Sequence, residues 1–368
     1  MSQLIISVSG LRGIVGETLT PNVAANYVAA FANHLDDGPV VVTRDGRATG
    51  RMLADAIRAA LCAVGRDVLD ADVAATPTTG RLVRQYKAAG GIQISASHNP
   101  PPYNGIKLFG SEGRVVPATI GDQVLKSYQA ESFPWKPHDA LGSVTELEDT
   151  TSDHLNAVLG IVDLEKIRSC SFPVLLDSNH GAGSVLGGKL LAALGCNVTI
   201  LGDTPNGQFA HTPEPTADNL KGVAAEITKL GAKVGFCQDP DADRLALIDE
   251  NGRYVGEEYT VAACMDHILQ TRKGAVVTNC STSRMSQDLA EKYGVPFFRS
   301  KVGEANVADL MKAENAVFGG EGNGGPIDPQ IGYIRDSFVG MAIVLDSMAK
   351  TGKPLWSVTL RSWSRWKM

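Results

Sequence analysis

Short apolar runs recur along the chain. Each is followed by a polar or glycine-rich turn, then by a stretch whose apolar residues return at helical spacing. Residues 40–43 form a β-branched run that ends in Arg44-Asp45-Gly46-Arg47. Helical spacing follows over about 51–64, with Gly65 as the stop. Residues 91–95 read as a strand running into a polar loop. The alternation predicts α/β layers with largely buried strands.

A Pro-rich polar stretch near 131–151 marks a boundary, and helical spacing resumes over 152–162. A second α/β unit starts at Pro173 with PVLLDS, a glycine-rich turn, a helix over 184–194 and the strand CNVTIL. It closes with KVGFCQDPDADRLALIDENGRYV, two apolar strands around an acidic loop, with Glu250-Asn251-Gly252 as a hairpin-type turn. A third unit begins near Gly256. It has helices over 259–269 and 285–292, the strand AVVTN, the run GGEGNGG at 319–325 and a helix over 337–349. The predicted division is 1–150, 151–255 and 256–360. Three similar tandem units hint at an internal repeat, although they share no direct identity. The end, LRSWSRWKM, has two tryptophans in its last six residues and no following element, so 361–368 reads as the stub of a further domain.

Composition narrows the function. The 368 residues are 43% hydrophobic, enough for a core in each unit, and the formal net charge is -6. Nothing in that balance attracts nucleic acid or an anionic membrane, so an anionic substrate needs a local basic site. No apolar run approaches the ~18–20 residues of a membrane span, and the first residues do not form a signal peptide. Six cysteines lie scattered without a C-x-x-C pair, as expected of reduced thiols in a cytoplasmic protein.

Two segments carry chemistry. In ISASHNPPPYNGIKLF (94–109), a strand delivers Ser95, Ser97, His98 and Asn99 to a loop whose exit is stiffened by three prolines. Rigidity suits a reacting hydroxyl. The same residues also suit a polar turn capped by Ser and Asn. Neighbouring strand residues point to opposite sides, so a Ser97–His98 dyad is not expected. In the second segment, Asp239, Asp241 and Asp243 would lie ~6–7 Å apart in a flat strand. Pro240 and the small Ala242 allow a curl that brings them together. Three such charges between apolar strands call for a cation, and hard oxygens favour Mg²⁺, Mn²⁺ or Ca²⁺. The spacing imitates an EF-hand, but Arg244 stands where that loop needs glycine. The turn Asn179-His180-Gly181-Ala182-Gly183 reads as an ordinary strand-to-helix connection.

Together these segments resemble the α-D-phosphohexomutases. SASHNPPPYNGIKLF is similar to their phosphoserine loop, QDPDADRLALID to their magnesium loop and GGEGNGG to their sugar loop. SGLRGIVGETLTP and RDGRATG resemble their opening segment and first-domain arginine turn. The resemblance implies tandem α/β domains of mixed-sheet type with the active site at their junction. The implied reaction interconverts hexose 1-phosphate and hexose 6-phosphate through a phosphoserine and a bisphosphorylated sugar, which also serves as activator. It implies Ser97 as the phosphorylated residue. Asp239, Asp241 and Asp243 would hold one Mg²⁺ with a phosphoserine oxygen. Arg12, Lys107 and Arg244 would supply positive charge, with Lys107 and His98 as candidates for proton transfer. Lys301, Gly303, Glu321 and Asn323 would bind the sugar. The implied assembly is a monomer or homodimer, and glucose, glucosamine and mannose phosphates are all admissible.

Two departures from the family pattern matter. The sugar loop often reads Glu-x-Ser-x-His, whereas this chain has Glu321-Gly322-Asn323-Gly324-Gly325. The family's fourth-domain phosphate loop, Arg-x-Ser-Gly-Thr-Glu-Pro, has no counterpart here. A chain that binds metal and sugar phosphate without turnover therefore stands as the alternative.

Overall fold

The computed structural model describes residues 4–7 and 10–355, which form three sheets in succession. The stub expected at 361–368 lies outside the described residues. The first sheet contains β1 (Ile5–Ser7), β2 (Gly10–Ile14), β3 (Val40–Arg44), β4 (Val68–Val73), β5 (Gly90–Ile94), β6 (Tyr103–Gly110) and β7 (Val144–Glu146). Their order is β1-β2-β6-β5-β3-β4-β7. The second contains β8 (Pro173–Asp177), β9 (Asn197–Leu201), β10 (Val234–Gln238) and β11 (Leu245–Asp249), ordered β11-β10-β8-β9. The third contains β12 (Val276–Asn279), β13 (Phe297–Ser300), β14 (Phe318–Glu321) and β15 (Gly325–Ile327), ordered β13-β12-β14-β15.

The repeat hinted at in the sequence is present as topology. In each unit a first strand pairs in parallel with a second on one side and a third on the other. A fourth then runs antiparallel to the third. These sets are β3–β6, β8–β11 and β12–β15. In every unit, the turn between third and fourth strands carries one of the special segments. Ser97 lies between β5 and β6, the three aspartates between β10 and β11, and Gly322-Asn323-Gly324 between β14 and β15. Strands β10 and β11 are buried throughout, which explains why VGFCQ and LALID are apolar without alternation.

The second and third units share one core. The helix Ser337–Thr351 is buried from Ser337 to Ala349, because it is wedged between them. Its cap is Asp336, which accepts from the N–H groups of Phe338 (2.9 Å) and Val339 (3.2 Å). The first unit seats on the second through Gly46. A Cβ there would lie 2.3 Å from the His180 carbonyl oxygen, so the Arg44-Asp45-Gly46-Arg47 turn requires glycine at that contact.

The segment between β9 and β10 is tied down by His211. Its Nε2 lies 2.8 Å from Asp177 Oδ2 at the end of β8, and its Nδ1 lies 2.9 Å from the Thr212 carbonyl. Both ring nitrogens face acceptors, an arrangement that imidazolium satisfies. Burial disfavours that charge, but Asp177 outweighs burial and the His211 pKa is raised. A raised folded pKa stabilises fully below the unfolded value of about 6.5, and the stabilisation fades as pH climbs through the folded value. The Tm difference between wild type and His211→Gln should therefore shrink as pH rises from 6 to 9. A constant or growing difference would refute the assignment.

Candidate active site

The Ser97 loop is held from beneath. Ser95 Oγ donates to Asp45 Oδ2 (2.7 Å) and accepts from the Ser97 N–H (2.8 Å). Arg47 donates to the carbonyls of Ser97 (2.7 Å), Asn99 (2.6 Å), Pro100 (2.9 Å) and Tyr103 (3.0 Å). Burial raises the Asp45 pKa, and Arg47, 3.1 Å away, opposes that shift. Prolines 100–102 are exposed and restrict φ at the exit of the loop; one buried arginine bonded to four carbonyls adds a second restraint. One expectation needs correction. Ser97 has φ 51°, not a strand conformation, and its Oγ lies 3.3 Å from His98 Nδ1. Adjacent side chains meet because the backbone is left-handed there. Ser97 Oγ donates to Asp239 Oδ2 at 2.7 Å.

The acidic loop curls at Ala242, with φ 56°. Its carbonyls are taken one by one: Pro240 by the Ala182 N–H (2.7 Å), Asp241 by the Thr76 N–H (2.9 Å), and Ala242 by Ser337 Oγ (2.6 Å). Carboxyl oxygens of Asp239, Asp241 and Asp243 consequently lie within 4.8 Å of one another, fully buried. Lys107 Nζ donates to both Asp241 and Asp243. Thr76 Oγ1 donates to Asp241, and Arg335 donates to Asp243 at 2.6 Å. Asp241 Oδ1 and Asp243 Oδ1 are buried without a hydrogen bond. These oxygen donors, two of them unsatisfied, fit a hard divalent cation.

Charge divides the triad. Burial, then repulsion from Asp241 and Asp243, drives the Asp239 pKa well up. Burial also acts on Asp241 and Asp243, but Lys107 on the first and chiefly Arg335 on the second hold both below the ordinary range. Burial would lower Lys107, yet its two aspartates override this and keep it protonated. Burial, then Arg244 and Arg12, lower His98 to about 4, so it is neutral at pH 7.

Lys107 and Arg335 line a cleft of about 450 Å³. Arg12, Arg244, Asn279, Gly303, Glu321 and Asn323 line it with them. Arg12 donates to Asn99 Oδ1 at 3.2 Å, and Arg244 Nε lies 4.0 Å from Asp243. Glu321 accepts from Asn279 Nδ2 (2.6 Å) and the Gly303 N–H (3.3 Å). Asn323 Oδ1 is buried without a hydrogen bond. Lys301 is exposed, while its neighbours Val302 and Gly303 line the cleft. Three participants escape a reading of the sequence. Asp45 lies within RDGRATG, where nothing local gives it a role. Thr76 and Arg335 lie in no motif and touch the aspartates only through the fold.

The alpha/beta/alpha domains I, II and III of the phosphoglucomutase/phosphomannomutase family match residues 3–135, 152–252 and 256–366. A Thermococcus kodakarensis phosphoglucomutase/phosphomannomutase is 38% identical over 94% of this chain and 77% of its own length. A "probable phosphoglucosamine mutase" of the same organism is 33% identical over 94% of this chain and 76% of its own. Among solved structures, a candidate phosphomannomutase from Thermus thermophilus superposes with TM-score 0.89 at 25% identity, covering 98% of this chain and 83% of that one. An open-form phosphoglucomutase (parafusin) from Paramecium shares the fold, with TM-score 0.82 at 19% identity over 98% and 74% of the two chains.

Proposed function

The chain belongs to the phosphoglucomutase/phosphomannomutase family and is a phosphohexomutase; on that premise we propose that it interconverts hexose 1-phosphate and hexose 6-phosphate through phosphorylated Ser97 and a hexose bisphosphate. The observation that carries this reading is the buried Ser97 hydroxyl, 2.7 Å from Asp239 in a triad with unsatisfied oxygens. Glucosamine, mannose and glucose phosphates are the proposed substrates. The proposed setting is the cytoplasm, which suits the six free cysteines. Among the described residues no helix is long and apolar enough to cross a membrane.

Asp239, Asp241 and Asp243 would hold one Mg²⁺ together with an oxygen of phosphorylated Ser97, and the bound ion would supply charge that polarises the phosphoryl group. Arg12, Lys107 and Arg244 would bind the remaining phosphoryl oxygens. Such cations are needed because a phosphoserine of nearly -2 joins three aspartates. Transfer breaks the bond from phosphorus to Ser97 Oγ and forms one to a sugar hydroxyl oxygen, while the hydroxyl proton would pass by way of the neutral His98 ring, whose Nδ1 lies 3.3 Å from Ser97 Oγ, to the departing serine oxygen. On return of the other phosphoryl the same path would run in reverse, from Ser97 Oγ–H through His98 to the departing sugar oxygen. Lys107 enters as a cation and His98 as a neutral ring. Glu321 and Asn323 would grip the sugar, leaving the chemistry to positioning and charge stabilisation.

The test is conversion of the three hexose 1-phosphates to 6-phosphates, with Mg²⁺ and the matching bisphosphate. Turnover of at least one is expected. Binding of all three without turnover of any would refute the reaction.

A further inference from the structure

Arg335 sits two residues before the buried helix Ser337–Thr351 and is itself only 7% exposed. Its guanidinium meets carboxylates from three separate segments. Nη2 donates to Asp243 Oδ2 at 2.6 Å, Nη1 lies 2.9 Å from Glu321 Oε2, and Nε lies 3.4 Å from Glu304 Oε2. Its backbone N–H also donates to Glu304 Oε1 at 2.8 Å. Asp243 belongs to the acidic loop of the second unit, and Glu321 opens the glycine loop of the third. Glu304 starts the helix that follows Gly303. The Asp243 contact is a hydrogen bond, the Glu321 contact a close ion pair, and Nε, near Glu304, makes no hydrogen bond; the rigid planar guanidinium fork spans these groups as a shorter lysine ammonium does not.

The aliphatic stem of Arg335 also shapes the glycine loop. A Cβ at Gly325 would fall 2.3 Å from Arg335 Cδ and 2.7 Å from Cγ. Gly325 is the fifth residue of Glu321-Gly322-Asn323-Gly324-Gly325, where the related pattern carries histidine. The volume beside the backbone at that position is already filled by the arginine stem, so a side chain at 325 and an arginine at 335 exclude one another.

We propose that Arg335 is a positioning residue for sugar recognition, one that orients the Glu321 carboxylate toward the cleft and ties it to Asp243. The proposal rests on reading the cleft as a hexose phosphate site. Glu321 Oε1 is held by Asn279 and the Gly303 N–H, and Oε2 by Arg335. The carboxylate plane is thereby fixed, while spare lone pairs remain for sugar hydroxyls. Without the fork, Glu321 loses one of its anchors and the grip on the sugar slackens.

The experiment compares wild type, Arg335→Lys, Gly325→Ala, Glu321→Gln and the double variant Arg335→Lys/Glu321→Gln. Calorimetry gives Kd for a hexose 6-phosphate, steady-state kinetics give KM and kcat, and melting gives Tm. Arg335→Lys keeps the charge but loses the planar reach to Glu321 Oε2 and is expected to raise Kd and KM by about tenfold. Its kcat should fall less than its KM rises. Gly325→Ala leaves the arginine in place but displaces its stem, and should move Kd in the same direction. The double variant should bind no more weakly than the worse single, because Arg335 acts through Glu321. Unchanged Kd in Arg335→Lys, or additive losses in the double variant, would overturn the proposal. If Arg335→Lys fails to fold, the Gly325→Ala Kd decides by the same criterion. Absence of turnover in wild type would count against the reaction alone, since Kd still reads the positioning role. Absence of any hexose phosphate binding in wild type would overturn the positioning role as well.

Discussion

Ser97→Ala should lose hexose phosphate isomerisation by about 10⁴-fold or more while remaining folded. The substitution removes one oxygen, which donates to Asp239 and faces His98. The loop keeps its shape, because Arg47 binds backbone carbonyls and Ser95 binds the residue 97 N–H, none of which alanine disturbs. Alanine at φ 51° meets the same backbone strain as serine, so its cost to stability is small. Asp239 still accepts from the Arg244 N–H at 3.1 Å. Incubation with hexose bisphosphate followed by intact mass and peptide mapping should place one phosphoryl group on Ser97 in wild type and none in the variant. A variant that is still phosphorylated, or within tenfold of wild-type turnover, would exclude Ser97 as the carrier.

Asp241→Asn should cut phosphoryl transfer by about 10³-fold, or about 4 kcal/mol of transition-state stabilisation, and weaken Mg²⁺ binding. Asp241 Oδ2 accepts from both Thr76 and Lys107. An amide there keeps one acceptor oxygen, loses the charge and turns two N–H donors toward a site crowded with donors. Lys107 retains Asp243 at 2.8 Å, so its own charge is not stranded and the protein should still fold. Calorimetric Mg²⁺ affinity equal to wild type would remove Asp241 from the ion site.

The parts of the site that could be read beforehand are those in which chemistry is compressed into a few consecutive residues. Asp239, Asp241 and Asp243 alternate along one segment, and Ser97 stands in a distinctive loop after a buried strand. The strands were legible for the same local reason, with apolar runs bounded by turn residues. Arg335 was not legible, because its partner Asp243 lies 92 residues earlier and only the fold brings them together. The left-handed backbone at Ser97 and Ala242 was hidden too, since neither residue is a glycine that would announce it. Without it, Ser97 and His98 would face apart. Arg47 could be seen as part of a motif, but its work on four carbonyls of a distant loop could not.

The repeated hairpin position has a consequence for how such a protein can diversify. One scaffold position, copied three times, carries the hydroxyl, the acidic cluster and the glycine loop, each on its own sheet. Substitutions in the turn after β14 can alter what is recognised without rewriting the turn after β5, where the reacting oxygen sits. The inheritance is modular, and Arg335 marks its limit. By joining the glycine loop to Asp243, it forbids the third module from drifting wholly free of the second, so changes of sugar preference should track the pairing of residues 325 and 335.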